Sequence, residues 1–484
     1  MPEESKMEAV IEALSRAGLL AARPPVGPPV RQITSDSRSV EPGALFLALP
    51  GTQVHGNRFV GDAISRGAAV VLLEQPVEDP VPQIVVRDAK RAAMVVARAW
   101  YGDPTRGMLL VGVTGTNGKT TTTAVLRHLL NAAGDTGSIG TLGAFDGRGG
   151  DVPSSAGSLT TPGPVDLQAT FAAMKARGVS RIAMETSSHS LDQGRLDGLS
   201  FGAGVFTNLT RDHLDYHGSM EHYFAAKLRL LDLLAPGAPR VVNHDDPSWE
   251  SIPAGAERLS FGMNPGADVR AEHLVLAASG SGFHLTGRFG KRPVQLPLPG
   301  DFNVANSLAA ATCALALGAT LDQVVERLIT APQVPGRMER LTLQPCVVLR
   351  DYAHTPDALE RVLQTLRPLT RGRLVVLFGC GGDRDRGKRP LMGAIADTLA
   401  DLAIVTSDNP RTEDPERIID DIVAGMRGSY LRMADRREAI ATALGRVAAG
   451  DTLLLAGKGH ETYQVIGTVK HPFDERSIVA ELAA

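Results

Sequence analysis

The sequence MLLVGVTGTNGKTT, residues 108–121, indicates the fold class of this chain. It opens with a continuous apolar run, which predicts a strand buried on both faces of a parallel sheet. Gly115 and Gly118 follow, and the residues from Lys119 onward predict a helix. Glycines let backbone N–H groups turn towards phosphate oxygens, and the amino end of a helix adds partial positive charge. The stretch therefore predicts a phosphate-binding loop in an α/β sheet.

This loop is a variant of the common phosphate-loop pattern. That pattern, G-x-x-x-x-G-K-[ST], requires glycine where this chain has Val113. Lys119 can neutralise the β- and γ-phosphates of a nucleotide, and Thr120 can hold Mg²⁺. An ordinary glycine-rich turn is the alternative, but it does not explain a Lys-Thr pair between a strand and a helix. The predicted nucleotide-binding residues of the loop are Gly115, Thr116, Asn117, Gly118, Lys119, Thr120 and Thr121.

Strand-like and helical stretches alternate on both sides of the loop. Apolar runs that end in polar loops recur at 181–186, 202–209 and 239–245, and this alternation predicts a doubly wound sheet. Residues 266–298 read as a small antiparallel insertion, and the alternation starts again near residue 335. We predict an α/β fold of three domains: a small N-terminal α/β domain at 1–102, a central phosphate-loop domain at 103–335 and a C-terminal Rossmann-like domain at 336–484.

Composition limits the classes of function. The chain has 484 residues, enough for about three domains, and a formal net charge of −3. A chain without a surplus of basic residues is not expected to coat nucleic acid or an anionic membrane. Its three cysteines have no metal-ligand spacing, its first residues do not read as a secretory signal, and no apolar run has membrane-spanning length. We therefore expect a cytoplasmic protein that neither inserts into a membrane nor binds nucleic acid.

Polar clusters follow several predicted strands, where the sites of open α/β sheets form. Glu185 ends one strand, and a carboxylate there is a natural ligand for Mg²⁺. Residues 208–217 are dense in polar groups after another strand. The hydroxyls of Thr160–Thr161 suit an anionic or sugar ligand, with a turn or helix cap as the alternative. Asn303 and Asn306 lie one helical turn apart, so their amides share a face that could contact a base or a core partner.

Three further motifs join the loop in a resemblance to a known family. Residues 351–357 read DYAHTPD, residues 408–411 read DNPR, and residues 36–46 read DSRSVEPGALF. Together with GTNGKT at 115–120, these motifs resemble the Mur ligases and the related folylpolyglutamate synthases. Both groups are ATP-dependent, amide-forming ligases that pass through an acyl phosphate. The resemblance runs from about residue 30 to the C-terminus. It points to the Mur ligase that adds the third residue of the peptidoglycan peptide.

The resemblance implies a UDP-binding N-terminal domain, a central ATPase domain and a C-terminal amino-acid-binding domain. It also implies ATP and Mg²⁺ as cofactors and a Lys227 carbamylated by CO₂, although a lone lysine on an amphipathic helix is otherwise a solvated cation. The implied catalytic residues are Lys119, Glu185, His213, Lys227 and Arg337. The implied metal ligands are Thr120, Glu185, His213 and the carbamate of Lys227. The further implied ATP-binding residues are Asn303, Asn306, Arg337, Asp351 and His354.

The same resemblance implies two substrates, UDP-MurNAc-L-Ala-D-Glu and a diamino acid, and a monomeric enzyme. Arg411 can form a fork on the distal carboxylate of meso-diaminopimelate, and Glu461 can pair with its ammonium. L-Lysine and L-ornithine lack that carboxylate, so diaminopimelate is the predicted substrate and the two diamines stay as alternatives. The implied contacts to the UDP-MurNAc-dipeptide are Ser37, Thr160, Thr161, Ser187, Gln193 and Arg195. The implied amino-acid pocket consists of Arg384, Asp408, Asn409, Pro410, Arg411, Gly457 and Glu461.

Two other functions stay open on the sequence. A folylpolyglutamate synthase would share the ATP loop and the modified lysine, but it would leave the motifs at 36–46 and 408–411 unexplained. A nucleotide-regulated binding protein without turnover would not need Lys119, Glu185 and Lys227 together. Binding of a UDP-sugar would distinguish the Mur ligase from the folylpolyglutamate synthase. ATP-dependent phosphate release would exclude the binding protein.

Overall fold

The protein forms two compact units of helices and strands. The first comprises residues 1–268 and 309–319, and the second comprises residues 269–308 and 320–484. The predicted domain boundaries at 102 and 335 stay predictions. The computed structural model describes residues 3–24, 27–51, 55–132, 134–154, 159–342, 344 and 346–483. Within these ranges, no helix combines the length and the apolarity that crossing a membrane requires.

A small parallel sheet begins the first unit. Its strands lie in the order β1-β2-β3-β4, and every neighbouring pair is parallel. The apolar runs at 44–49 and 68–73 form β2 and β3, whose side chains pack in the cores on the two faces of the sheet. The elements are α1 Glu3–Arg16, β1 Gln32–Thr34, β2 Ala44–Leu47, α2 Val60–Ser65, β3 Ala68–Leu73, β4 Gln83–Val85 and α3 Ala89–Tyr101.

The second sheet of the first unit carries the phosphate loop. Its strands in this unit lie in the order β11-β10-β9-β5-β8-β6-β7, and all neighbours are parallel except β6 and β7. Leu110 and Val111 are adjacent in β5 and so face opposite sides of the sheet, and both are buried, which confirms the predicted strand with two covered faces. The elements are β5 Leu109–Thr114, α4 Lys119–Leu130, β6 Thr136–Gly140, β7 Gly143–Phe145, α5 Pro164–Ala176, β8 Arg181–Glu185, α6 Ser188–Asp192, β9 Ala203–Phe206, α7 Leu214–His217, α8 Met220–Asp232, β10 Arg240–Asn243 and β11 Arg258–Gly262.

The second unit begins with the antiparallel insertion that the sequence predicts at 266–298. Strands β12, β13 and β14 pair consecutively and antiparallel, with an irregular register after Glu272. Helix α9 continues from this insertion into the residues assigned to the first unit. The elements are β12 Val269–Ala277, β13 Gly280–Gly287, β14 Gly290–Leu296, α9 Asp301–Ala316 and α10 Leu321–Ile329.

A six-stranded sheet completes the second unit. Its order is β15-β16-β20-β17-β18-β19, parallel except for β15 at the edge. The alternation of strands and helices that the sequence predicts after residue 335 is confirmed. The edge strands β15 and β19 and the hairpin β21–β22 are not predicted, because their partly exposed side chains give no continuous apolar run. The elements are β15 Glu339–Thr342, β16 Val347–Asp351, α11 Pro356–Leu366, β17 Leu374–Phe378, α12 Lys388–Leu399, β18 Leu402–Thr406, α13 Pro415–Val423, β19 Tyr430–Met433, α14 Arg436–Leu444, β20 Thr452–Ala456, β21 Tyr463–Ile466, β22 Val469–Pro472 and α15 Glu475–Leu482.

Candidate active site

The phosphate loop joins β5 to α4 through residues 115–118, as the sequence predicts. Gly115 and Gly118 have φ angles of 144° and 83°, in the region that favours glycine. A Cβ atom on Gly115 would lie 1.9 Å from the hydroxyl oxygen of Thr207, so a larger residue would clash there. Gly118, the residue before α4, has no side chain to cap the helix. The amino end of a helix beside a glycine loop is a ready anion site.

The residues that follow β9 hold this loop in place. The Asn117 N–H donates to Asn208 Oδ1 at 2.9 Å, and the Thr207 hydroxyl donates to the Asn117 carbonyl oxygen at 2.7 Å. Lys119 Nζ donates to two carbonyl oxygens of the loop, at 2.9 Å and 2.8 Å. The sequence marks 208–217 as a polar cluster but does not predict that Asn208 supports the loop. That role depends on β9 lying beside β5, which the sequence does not reveal.

Glu185 lies beside Thr120, at the carboxyl end of β8. Strands β5 and β8 are parallel neighbours with Val113 opposite Glu185, so both strands end at the same edge. The Glu185 carboxylate is 1% exposed and accepts a hydrogen bond from the Thr120 hydroxyl at 3.2 Å. It also accepts from the N–H and the hydroxyl of Thr141, at 2.9 Å and 3.2 Å. The structure thus brings two of the predicted metal ligands together and adds Thr141, which the sequence does not single out.

Lys227 is buried on α8 and contacts the phosphate loop directly. Its Nζ donates to the carbonyl oxygen of Gly115 at 2.7 Å and lies 4.3 Å from the centroid of the Tyr223 ring. Burial and the nearby Lys119 ammonium hold the pKa of Lys227 well below its usual value of 10.5. This shift favours the neutral amine, which is the form that reacts with CO₂.

His213 is the residue before α7 and is about half exposed. It has a φ of 52°, and its ring lies 6.2 Å from the ring of Tyr223 and 4.8 Å from that of His189. His217 is instead buried and hydrogen-bonds with the Ser188 hydroxyl at 3.0 Å. Throughout the part of the chain that the structure describes, no three His, Cys, Asp or Glu side chains form a group that could hold a metal ion. The metal role of His213 therefore stays a prediction.

The predicted contacts to the UDP-MurNAc-dipeptide in the first unit form one connected cluster. The buried Thr161 hydroxyl donates to the Glu185 carbonyl oxygen at 2.8 Å and accepts from the Ser187 N–H at 3.1 Å. Arg195 donates to the Thr161 carbonyl oxygen at 3.1 Å and to Gln193 Oε1 at 2.9 Å. Arg195 and Gln193 are therefore oriented by the same segment that orders Glu185.

Two further residues, Thr160 and Ser37, are predicted to contact the same substrate. The Thr160 hydroxyl oxygen lies 3.3 Å from that of Thr141, within hydrogen-bonding distance, which places it next to the cluster around Glu185. Ser37 is in the short turn after β1, and its side chain hydrogen-bonds with Asp62. This hydrogen bond lowers the pKa of Asp62. The structure thus connects Thr160, but not Ser37, with the other predicted contacts.

The two predicted asparagines of α9 lie on the second unit and are both buried. Asn303 Nδ2 donates to the Pro299 carbonyl oxygen at 2.8 Å, which is the local hydrogen bonding that the sequence leaves open as an alternative. Its Oδ1 is buried and has no hydrogen-bond partner among the described residues. A buried acceptor without a donor is costly, so Asn303 has one atom available to a ligand.

Arg337, Asp351 and His354 cluster around Tyr352 in the second unit. The Arg337 guanidinium lies 5.0 Å from the Tyr352 ring centroid, and His354 Nδ1 lies 2.8 Å from the Tyr352 carbonyl oxygen. The Asp351 carboxylate accepts from the N–H groups of Met338 and Ala353, at 2.7 Å and 2.9 Å. Burial raises the pKa of Asp351. Asp351 thus fixes the turn that carries Arg337.

The predicted amino-acid pocket lies beyond the carboxyl ends of β17, β18 and β20. Asn409 Nδ2 donates to Glu461 Oε2 at 2.8 Å, so these two predicted residues are in contact. Arg411 Nη1 donates to the Gly382 carbonyl oxygen at 2.7 Å, and the exposed Arg384 is on the same loop as Gly382. The remaining predicted members, Asp408, Pro410 and Gly457, lie in the loops after β18 and β20.

Lys458 is a fully buried cation in this pocket that the sequence analysis does not assign. Its Nζ lies 3.6 Å from Asp408 Oδ1, 3.4 Å from Glu461 Oε2 and 3.2 Å from Asn409 Oδ1. The two carboxylates offset the cost of burying the Lys458 charge. The sequence signal that could have identified Lys458 is its position next to Gly457 and three residues before Glu461.

Comparison with known proteins identifies the family of this chain. Residues 29–101 match the Mur ligase family catalytic domain, residues 113–314 the Mur ligase middle domain, and residues 336–459 the Mur ligase glutamate ligase domain. The chain is 44% identical over 464 residues to UDP-N-acetylmuramoyl-L-alanyl-D-glutamate--2,6-diaminopimelate ligase of Geobacillus kaustophilus (strain HTA426), covering 93% of this chain and 94% of that protein.

Two further matches cover most of the chain. The protein of the same name from Gloeobacter violaceus is 44% identical over 479 residues, covering 97% of each chain. A solved structure of a protein with this name has a TM-score of 0.66 and 36% identity, and the match covers 94% of this chain and 95% of that one. Because the identity extends over nearly the whole of these relatives, and because the phosphate loop, Glu185 and Lys227 meet in one site, the chain belongs to the Mur ligase family.

Proposed function

We propose that this chain is the ATP-dependent ligase that adds meso-diaminopimelate to UDP-MurNAc-L-Ala-D-Glu in peptidoglycan precursor synthesis. The observation that carries the proposal is that Arg411 and Glu461 lie on loops beyond the carboxyl ends of β18 and β20 of one sheet, in a chain that also has a Mur-type phosphate loop. The relatives from Geobacillus kaustophilus and Gloeobacter violaceus are named as ligases for the same two substrates. Their names support the choice of both substrates.

The first step transfers a phosphoryl group between two anions. An oxygen of the D-Glu γ-carboxylate attacks the γ-phosphorus of ATP, the bond to the β,γ-bridging oxygen breaks, and ADP leaves. Positive charge must offset the repulsion between the carboxylate and the phosphates. Lys119, fixed on the loop carbonyl oxygens, supplies it at the phosphate loop, and Arg337 is the predicted second source.

The second step forms the amide. The neutral amine of the diamino acid attacks the acyl carbon of the acyl phosphate and gives a tetrahedral intermediate. The intermediate then releases phosphate, and the nitrogen loses a proton. The enzyme needs no Ser or Cys nucleophile for this route, because the activated acyl group stays on the substrate.

The cofactors follow from the donors in the site. Thr120 and Glu185 offer the hard oxygen atoms that Mg²⁺ prefers, and bound Mg²⁺ offsets charge on the ATP phosphates. Lys227 fits the predicted carbamylation, because it is buried, has a lowered pKa and contacts the loop beside Lys119. Its carbamate would add a further oxygen ligand for the same cation.

A phosphate-release assay tests the proposal. Purified protein receives ATP, Mg²⁺ and UDP-MurNAc-L-Ala-D-Glu, with meso-diaminopimelate, L-lysine or L-ornithine in parallel. The expected result is turnover mainly with diaminopimelate. Turnover mainly with either diamine would keep the ligase and contradict the role of Arg411. Turnover only with a folate substrate and glutamate would favour folylpolyglutamate synthase, and ATP binding without any turnover would favour the binding protein.

A further inference from the structure

The backbone of Arg411 is held in the left-handed region, with a φ of 51°. A residue with a side chain stays there only where its surroundings enforce the conformation. Here the Arg411 N–H donates to the Val465 carbonyl oxygen at 3.1 Å, and the Arg411 carbonyl oxygen accepts from the Gly467 N–H at 2.7 Å. The hairpin β21–β22 therefore forms backbone hydrogen bonds with the peptide groups on both sides of Arg411.

The same hairpin contacts the two residues that begin the DNPR motif. Gln464 Nε2 donates to the Asp408 carbonyl oxygen at 2.7 Å, and the Val465 N–H donates to Asn409 Oδ1 at 2.9 Å. The contact from Val465 uses its backbone, whereas the contact from Gln464 uses its side chain. A substitution at Gln464 can therefore remove the hydrogen bond to Asp408 and leave the backbone of the hairpin unchanged.

A second loop fixes the motif from its other side. Arg411 Nη1 donates to the Gly382 carbonyl oxygen, and the Gly382 N–H donates to the Asn409 carbonyl oxygen at 2.9 Å. A Cβ atom on Gly382 would lie 1.9 Å from the Pro410 carbonyl oxygen, so the two backbones are in close contact. With one nitrogen held in this way, the other donors of the Arg411 guanidinium stay available for a carboxylate.

We propose that Gln464 is a positioning residue that determines amino-acid specificity, because its hydrogen bond holds the DNPR loop in the form that presents Arg411 to a second carboxylate. The proposal rests on the proposed function, since it concerns the same pocket. Gln464 acts through Asp408 and Arg411 and need not touch the substrate. Its loss should therefore reduce the preference for diaminopimelate over L-lysine, which has no carboxylate for Arg411.

The test compares the wild type with Gln464→Leu, which keeps the approximate size of the side chain and removes the donor. For the full-length enzyme, kcat and KM are measured with diaminopimelate and with L-lysine, at saturating ATP and UDP-MurNAc-L-Ala-D-Glu. We expect KM for diaminopimelate to rise about tenfold, as for a lost hydrogen bond to an oriented group. The ratio of kcat/KM values for the two amino acids should fall by a similar factor, while KM for ATP stays within about twofold.

Thr468→Ala is the matched control, because Thr468 is exposed in the turn of the same hairpin. It should leave the ratio unchanged. If Gln464→Leu does not fold, Gln464→Glu is measured instead, since it keeps the size and replaces the donor by an acceptor. If neither variant folds, Gln464 has a structural role and the proposal is overturned.

The outcomes separate this inference from the function on which it rests. A wild type that releases no phosphate with any amino acid refutes both. A wild type that prefers diaminopimelate, together with a folded Gln464→Leu enzyme that keeps the ratio within about twofold, refutes the role of Gln464 alone. Equal losses for diaminopimelate and L-lysine would also refute it, because a merely structural role predicts that pattern.

Discussion

Lys227 and Gly115 are 112 residues apart in sequence, yet Lys227 Nζ donates a 2.7 Å hydrogen bond to the Gly115 carbonyl oxygen. Tyr223 lies one turn earlier on α8, and its hydroxyl donates to the Thr116 hydroxyl oxygen at 3.1 Å. The helix thus reaches the phosphate loop through two side chains. The chemical state of Lys227 must therefore influence the loop directly.

Replacing Lys227 by Met should abolish ligase activity and leave the fold intact. Methionine fits a buried site of similar length but offers no atom that could become a carbamate. We expect ATP- and amino-acid-dependent phosphate release to fall at least about a hundredfold, as when a catalytic charge is lost. Lys90→Met, an exposed position on α3, is the control and should keep full activity. A Lys227→Met enzyme with half the wild-type rate would contradict the assigned role.

Carbamylation of Lys227 is a separate prediction. In buffer that contains ¹³C-bicarbonate, the wild type should give a ¹³C NMR signal from a protein carbamate, because a buried neutral amine reacts with CO₂. The signal should disappear in Lys227→Met and persist in Lys90→Met. Removal of CO₂ should lower the activity of the wild type, and bicarbonate should restore it. An active enzyme without any carbamate signal would refute the modification.

Gly115→Ala should disrupt the loop far more than Gly107→Ala. Both glycines have positive φ angles, 144° and 83°, but a Cβ atom on Gly115 would meet the Thr207 oxygen at 1.9 Å, whereas one on Gly107 would meet no atom within 4 Å. The clash should cost roughly 1–3 kcal/mol more in the free energy of unfolding than the control substitution. Urea denaturation measures this difference. We also expect Gly115→Ala, but not Gly107→Ala, to lose ATP binding. Equal effects of the two substitutions would contradict the prediction.

The sequence predicts the part of the site that follows from local patterns. Residues 109–121 combine a buried strand, glycines and a Lys-Thr pair in one stretch. The phosphate loop can therefore be predicted without knowledge of tertiary contacts. Thr141 and Asn208 are different, because they reach Glu185 and Asn117 only through the strand order β9-β5-β8-β6, which brings together strands that are distant in sequence. A single sequence contains no signal for that order.

The C-terminal pocket shows the same limit. The DNPR motif identifies the loop, but the clamp on Arg411 comes from the hairpin β21–β22, whose exposed strands have no apolar pattern. Lys458 was missed for another reason. A lysine in a polar loop is normally solvated, and its full burial follows only from the packing of the surrounding loops.

Glu185→Gln should raise the Mg²⁺ concentration that the enzyme requires. Glu185 accepts from Thr120 and Thr141, and glutamine keeps the size of the side chain but loses the charge that a divalent cation needs. We expect kcat to fall about a hundredfold at ordinary Mg²⁺ concentrations, with partial recovery at high Mg²⁺. Glu257→Gln, a half-exposed position in the same unit, is the control. An unchanged Mg²⁺ dependence in Glu185→Gln would exclude Glu185 as a ligand.

The ion pair between Arg389 and Glu413 should make the stability of the second unit depend on acid pH. Arg389 is buried, and its guanidinium binds the Glu413 carboxylate through two contacts, at 2.9 Å and 3.1 Å. The hydrogen bonds from Arg389 lower the pKa of Glu413 from 4.5 to about 2. A carboxylate with a lowered pKa in the folded state stabilises the fold above pH 4.5, and this contribution is lost as the pH falls from 4.5 towards 2.

Glu413→Gln removes this titration and is compared with the wild type by urea denaturation between pH 7 and pH 2. At pH 7 the variant should be less stable by about 2 kcal/mol, because the buried Arg389 loses the charge of Glu413 and keeps the Asp421 carboxylate, at 2.8 Å, as its partner. The difference should shrink steadily below pH 4.5, since the wild type then loses the same charge by protonation. Glu326→Gln, at an exposed position on α10, should follow the wild type at every pH. A difference that stays constant down to pH 2 would show that the charge of Glu413 does not stabilise this fold.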